Sequence, residues 1–205
     1  MRPAIVVLAA GLGSRFGAAG HKLAQALGGQ TVLGATLEHA VASGLPVVVV
    51  TTEQLVALAR AHVDVRDIVL LPSPGTPGQS LLGMGYSIAV GVAARPDAPG
   101  WLVLPGDMPL VCTDTLQAVA RQLESHPVVY AQYKGRRGHP VGFASELFSE
   151  LATLSGDEGA RRLVARYPAH GVDVDDAGVL LAVDTPPDLE RARALQGVAA
   201  LGIAK

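Results

Sequence analysis

The 205-residue sequence contains one cysteine, Cys112. No internal disulfide can form, and no cysteine-based zinc site is available. That usage fits a reducing compartment and predicts a cytoplasmic protein. Long apolar runs are missing as well: none approaches the ~20 residues that span a membrane. An excess of one charge is also missing. The net charge of −2 argues against a general grip on nucleic acid or on an anionic membrane. Lysine is scarce, with three against thirteen arginines, and one of the three is the terminal Lys205. A compact ammonium at Lys22 is therefore a candidate for a specific task, against the plainer reading of a solvated loop lysine.

What is present is enough apolar residue for a core. Hydrophobic residues make up 49% and charged residues 17% of the chain, which excludes a disordered polymer. The length suits one substantial domain, 1–205, with no linker or repeat to divide it. Apolar runs at 4–10 (AIVVLAA), 46–51, 67–71, 101–105, 127–133 and 178–183 read as strands. The first four are unbroken, the mark of strands buried on both faces. The opening MRPAIVVLAAGLG is faintly like a secretory leader, but a first core strand is the better reading. Helical patterns lie between, at 31–42, 53–62, 80–93 and 113–125. The first places Val32, Leu33, Thr36, Leu37, Ala40 and Val41 on one face; the last does so with Leu116, Val119, Ala120 and Leu123. This alternation predicts an α/β fold, a mostly parallel sheet flanked by helices.

The rhythm changes after residue 126. PVVYAQYKGRRGHPVGF reads as strand, KGRRG turn, strand, so the carboxyl-terminal part carries antiparallel pieces. SELFSELA and DEGARRLVARY read as helices, and HGVDVDDAGVLLAV as a second hairpin about Asp175–Gly178. A final helix starts at Thr185 as N-cap, with Pro186 at N1 and Asp188 at N3.

Open α/β sheets bind ligands beyond the carboxyl ends of their strands. Two stretches belong there. The first is LAAGLGSRFGAAGHKL (8–23), whose glycines can turn backbone N–H groups onto an anion while Arg15 and Lys22 add charge. Gly11, Gly13 and Gly17 are spaced G-x-G-x-x-x-G, which misses the strict dinucleotide fingerprint, and Lys22 is neither preceded by glycine nor followed by Ser or Thr, as a P-loop requires. The bland reading is a flexible turn. The second is WLVLPGDMPLV (101–111), where prolines stiffen both sides of Asp107. A carboxylate there can hold Mg²⁺ against phosphate oxygens, although Pro-Gly-Asp is also an ordinary turn. Together the two stretches hold the parts that phosphoryl chemistry needs.

Other residues have plainer readings beside their functional ones. His139 has no partner at ligand spacing and reads as pocket lining rather than a metal ligand. Arg136 and Arg137 read as a solvated hairpin tip that could meet an anion. Asp157 reads as a helix N-cap, and Arg161 and Arg162 as a solvated helix face. Ser87 either touches a nucleobase or sits on a helix surface.

With these motifs the sequence resembles the molybdenum-cofactor nucleotidyltransferases, and especially their cytidylyltransferase branch. LAAGLGSRFG-AAGH-K is similar to the family's opening signature and PGDMPLV to its magnesium-aspartate loop. GMGYS (83–87), RGHPVGF (137–143), SGDEGARRLV (155–164) and VDTPPDL (183–189) fall where the later motifs belong. The resemblance implies a Rossmann-like fold and transfer of CMP from CTP to molybdopterin cofactor, with Mg²⁺ as cofactor and pyrophosphate released. It implies nucleotide contacts at Leu8, Ala9, Ala10, Gly11, Gly13, Arg15, Lys22 and Ser87. It implies metal ligation at Asp107 and Asp184, and acceptor contacts at Arg137, His139 and Arg161. Catalysis would fall to Lys22, Arg15 and Asp107, and a molybdoenzyme or its chaperone is the protein partner it leaves open.

Two departures stand out. Four residues separate Gly17 from Lys22 where the family commonly has two, and Ala182 occupies a position that is often acidic. Transfer to another phosphate monoester, such as a phosphosugar or phosphoalcohol, remains an alternative. A dinucleotide-dependent oxidoreductase fits poorly, because Thr51 and Thr52 follow the second strand where a ribose-binding acid belongs. A non-catalytic nucleotide-binding module is the third alternative.

Overall fold

The computed structural model describes residues 1–13, 16, 20–72 and 83–200, with side chains as far as 197. Strand β1 (Ala4–Ala9) leads into the glycine-rich loop. A small hairpin, β2 (Ala26–Leu27) and β3 (Gln30–Thr31), follows. Next comes α1 (Val32–Ala42), whose N-cap Thr31 accepts the Gly34 amide at 3.0 Å. Then come β4 (Val47–Thr52), α2 (Glu53–Arg60), β5 (Ile68–Leu71), α3 (Met84–Ala93), β6 (Gly100–Pro105) and α4 (Thr113–Gln122). β4 and β6 pair in parallel with the two edges of β1, and β5 pairs in parallel with β4.

The apolar runs are unbroken because each strand feeds two cores. Ile5, Val7 and Ala9 pack with α1, α2 and α4, whereas Ala4 and Val6 pack with Ile88 and Val92 of α3. Leu116, Val119, Ala120 and Leu123 are all buried, as their spacing predicts. In α1 the same holds for five of the six, but Val41 is 44% exposed and leaves the apolar face. It sits in the last turn of the helix, one residue before its end.

The second half adds β7 (Val128–Tyr133), β8 (Arg136–Ala144), α5 (Phe148–Leu151), α6 (Arg161–Arg166), β9 (Ala169–Asp173) and α7 (Pro186–Ala200). β8 runs antiparallel to both β6 and β7. The full sheet has the order β5-β4-β1-β6-β8-β7-β9. It is the mostly parallel, helix-flanked sheet with an antiparallel carboxyl-terminal part that the sequence implies.

Four local expectations are corrected. The hairpin turn is Lys134–Gly135, both at positive φ (50° and 74°), so Arg136 and Arg137 are strand residues and not its tip. Asp157 does not cap α6, whose N-cap is Ala160. β9 is not half of a hairpin about Asp175–Gly178; it pairs in parallel with β7 at the sheet edge. Residues 178–183 are not a strand. They begin inside a 3₁₀ turn at Ala177–Leu180, held by Asp176, whose carboxylate accepts from the amides of Gly178 and Cys112 and from the Thr115 hydroxyl. Val179, Leu181 and Val183 are buried in strand-like alternation, yet Gly178 lies so close to the Leu110 carbonyl that a Cβ would meet it at 2.1 Å. The segment packs across its neighbours instead of pairing along them. The start of α7 matches its expectation: Asp188 accepts the Thr185 amide (2.9 Å) and hydroxyl (2.6 Å). Those bonds hold its carboxyl below the ordinary value.

Candidate active site

A cavity of about 450 Å³ opens beyond the carboxyl ends of β1 and β6. One wall is the end of β1 and the loop after it: Leu8, Ala10, Gly11 and Leu12. The start of α3 adds Gly83, Met84 and Ser87 to the lining. Lys22, Leu23, Pro105, Asp107 and Asp157 complete it.

Asp107 is placed by backbone contacts. The Gly106 amide donates to the Leu8 carbonyl at 2.8 Å, and the buried Thr36 hydroxyl donates to the Gly106 carbonyl at 3.0 Å. A Cβ at Gly106 would stand 2.9 Å from the Leu8 oxygen, so only glycine lets β6 end this close to β1. Asp184 is delivered by the extended segment before α7, because the Val183 amide donates to the Asp107 carbonyl at 2.8 Å. Lys22 opens a short 3₁₀ turn, Lys22–Ala24, anchored by the buried Leu23.

These three side chains meet. Lys22 Nζ donates to Asp107 Oδ2 at 2.5 Å and to Asp184 Oδ1 at 2.6 Å. Burial alone would lower the lysine pKa. The charges and hydrogen bonds of Asp107 and Asp184 outweigh it, and the ammonium is held above its ordinary value. The second oxygen of Asp107, Oδ1, is buried with no hydrogen-bond partner among the described residues. A buried carboxylate oxygen without a partner costs free energy, and such an oxygen is a ligand position waiting for a donor or a cation.

The other sequence candidates divide into groups. Leu8, Ala10, Gly11 and Ser87 line the cavity, and Ser87 is buried on α3. Ala9 does not line it: its side chain enters the core on the opposite face of β1. Gly13 is not among the lining residues; at positive φ (62°) it packs against the His21 ring. Arg15 lies outside the described residues. His139 is close enough to Asp107 to feel its charge, but burial dominates and lowers the imidazole pKa. Its Nδ1 is buried without a partner among the described residues. Arg137 is exposed, with its guanidinium 4.1 Å from the centre of the Tyr130 ring. Arg161 is exposed on α6 and does not line the cavity. Sequence reasoning missed Asp157 as a wall residue and assigned His21 nothing. The Asp157 loop reaches the cavity because the Gly85 amide donates to the Gly156 carbonyl at 2.8 Å. GMG beside SGD offered only the signal of two small-residue turns.

Residues 5–176 match the family model of the MobA-like NTP transferase domain. The chain belongs to the MobA-like NTP transferase family. It is 31% identical over 204 residues to the purine catabolism protein PucB of Bacillus subtilis (strain 168), covering 92% of this chain and 94% of that one. It is similar to the crystal structure of Rv0371c from Mycobacterium tuberculosis H37Rv, with a TM-score of 0.80 and 30% identity over 95% of this chain and 98% of that chain. The manganese complex of Rv0371c aligns with a TM-score of 0.76 and 30% identity, covering 95% and 99% of the two chains.

As a MobA-like NTP transferase the chain is a nucleotidyltransferase, and such enzymes use a divalent metal. The residues present fit one. Asp107 and Asp184 converge on a single cationic point, both are hard oxygen donors, and Asp107 Oδ1 is unpartnered. No cluster of three or more metal-ligating side chains exists among the described residues. Among the described residues, Asp107 and Asp184 are the two carboxylates that could hold such an ion, and a site of this kind leaves room for phosphate oxygens and water.

Proposed function

We propose that this chain transfers CMP from CTP to the phosphate of molybdopterin cofactor, with Mg²⁺ as the metal and pyrophosphate as the second product. The observation that carries the reading is the meeting of Lys22, Asp107 and Asp184 beside a cavity walled by the glycine-rich loop. An oxygen of the acceptor phosphate attacks the α-phosphorus. The bond from that phosphorus to the bridging oxygen breaks, and the oxygen leaves with its electron pair on pyrophosphate. The acceptor phosphate is largely ionised at neutral pH, as its second pKa is about 6, so no protein base is required. The work left is alignment and charge neutralisation.

The Gly11 and Gly13 backbone receives the triphosphate, and Lys22 turns to the α-phosphate, where charge grows. Arg15 takes the β- and γ-phosphates. Asp107 and Asp184 hold Mg²⁺, which supplies Lewis-acid neutralisation of the phosphate oxygens when bound. Ser87 and Ala10, which both line the cavity, meet the base. His139, Arg137 and Arg161 receive the acceptor. The manganese-bound relative supports the divalent metal. An oxidoreductase reading is disfavoured by Thr51 and Thr52, which are buried at the end of β4, where that chemistry wants an exposed acid. No described helix is long and apolar enough to cross a membrane, and the reading places the enzyme in the cytoplasm as one domain spanning 1–205.

The test is incubation with each labelled triphosphate and Mg²⁺, with and without molybdenum cofactor. CMP transfer that depends on the cofactor is expected. Transfer only to a phosphosugar or phosphoalcohol would overturn the acceptor and keep the chemistry.

A further inference from the structure

His21 is 6% exposed and stands immediately before Lys22. Both of its ring nitrogens are used. Nδ1 accepts the Leu23 amide at 3.1 Å, and an amide can only donate, so Nδ1 carries no proton. Nε2 lies 2.8 Å from the Gly11 carbonyl, which can only accept, so Nε2 carries the proton. The two contacts together select the neutral Nε2–H tautomer. The ring also underlies the loop: a Cβ at Gly13 would meet three of its atoms at 3.0–3.1 Å. The His21 carbonyl closes the turn that carries Lys22, accepting from the Ala24 amide at 3.0 Å.

We propose that His21 is a positioning residue that fixes the distance between the Gly11–Gly13 backbone and the Lys22 ammonium. One bond holds the phosphate-facing loop and the other holds the lysine turn, so a single rigid ring spans the base of an unusually long loop. This rests on the proposed nucleotidyl transfer and deepens it. In sequence, ten residues separate Gly11 from His21, and the ring bridges the two ends of that stretch directly. The ring does this without touching substrate.

Three variants separate this role from simple core filling. His21→Asn keeps an acceptor near the Nδ1 position for the Leu23 amide but is too short to reach Gly11. His21→Gln keeps a donor near the Nε2 position. His21→Ala keeps neither. We expect His21→Asn to lower the single-turnover rate about 10–100-fold, the scale of an ångström of misplacement, with a smaller loss of CTP affinity and an unchanged thermal midpoint. His21→Gln is expected to recover most of the rate, and His21→Ala to be the slowest. The ¹⁵N chemical shifts of the His21 ring should report the Nε2–H tautomer. Wild-type rates in His21→Asn, or an Nδ1–H tautomer at neutral pH, would overturn the inference while leaving nucleotidyl transfer intact. A His21→Gln no faster than His21→Ala would overturn it as well. Failure of the wild type to bind or transfer any nucleotide would overturn the underlying reading, and this inference with it.

Discussion

The amide of Val183 donates to the carbonyl of Asp107 at 2.8 Å. That one backbone bond joins two motifs more than seventy residues apart and sets Asp184 beside Asp107. Lys22 then closes the group by reaching both carboxylates.

Asp107→Asn keeps the size and hydrogen bonding of the side chain but removes the charge that, on the proposed reading, would hold the metal. Turnover is expected to fall by about 10²–10³-fold, the scale of losing one preorganised electrostatic group, with the thermal midpoint little changed. Asp184→Asn should cost less, because its side chain is 41% exposed against 15% for Asp107 and water can take its place. Mg²⁺-dependent pyrophosphate release measures both. An Asp107→Asn protein with near-native release would remove Asp107 from the metal site.

Lys22→Ala should act in two opposite directions. The ammonium occupies the point where both carboxylates converge, so it competes with a cation for them. Without nucleotide, Mn²⁺ should bind Lys22→Ala more tightly than wild type, read from free Mn²⁺ by electron paramagnetic resonance. With CTP, the catalytic rate should fall further than CTP affinity does, because α-phosphate charge grows toward the transition state. Weaker Mn²⁺ binding in the variant would mean that the lysine and the metal do not share those ligands.

Ala10 lines the cavity, as does the start of α3. Its methyl group narrows the space available to a base, and one methyl of steric discrimination is typically worth about 1–3 kcal/mol, or roughly 10–200-fold. Competition between CTP and GTP at equal concentration should favour CTP, and Ala10→Gly should narrow the preference. Equal use by the wild type would end the cytidylyl assignment and keep nucleotidyl transfer.

Cys112 is exposed, yet its thiol is pushed up to about 11, first by burial of its surroundings and then by the charge of Asp176. The thiolate is the nucleophile, and at pH 8 only about one thiol in a thousand would be ionised. Alkylation by iodoacetamide should be slow at pH 8, rise until near pH 11, and become ordinary in the urea-unfolded chain. A folded-state rate at pH 8 equal to that of the unfolded chain would disprove the shift.

The central strands were legible because their physics is local. β1, β4 and β6 are covered on both faces, so AIVVLA, VVVVTT and GWLVLP read as strands without reference to anything else. Asp107 was legible for a similar reason, since a carboxylate directly after a buried strand of an open sheet stands at the ligand edge whatever the rest does. Residues 178–183 were misread because an apolar run reports burial and not hydrogen bonding. Val179, Leu181 and Val183 are buried alternately in a segment that crosses its neighbours. Asp157 was misread because an acid before a helical pattern looks like a cap, and only the docking of the 155–157 turn onto α3 shows that it faces a cavity.

The sequence by itself determined which residue types could do phosphoryl chemistry and on which edge of the sheet they would lie, because burial periodicity and strand ends follow from short-range pattern. Tertiary structure alone decided that Lys22 meets Asp107 and Asp184 across 85 and 162 residues, and that His21 ties its turn to Gly11. Such contacts depend on loop paths and close backbone approach, which no local period encodes.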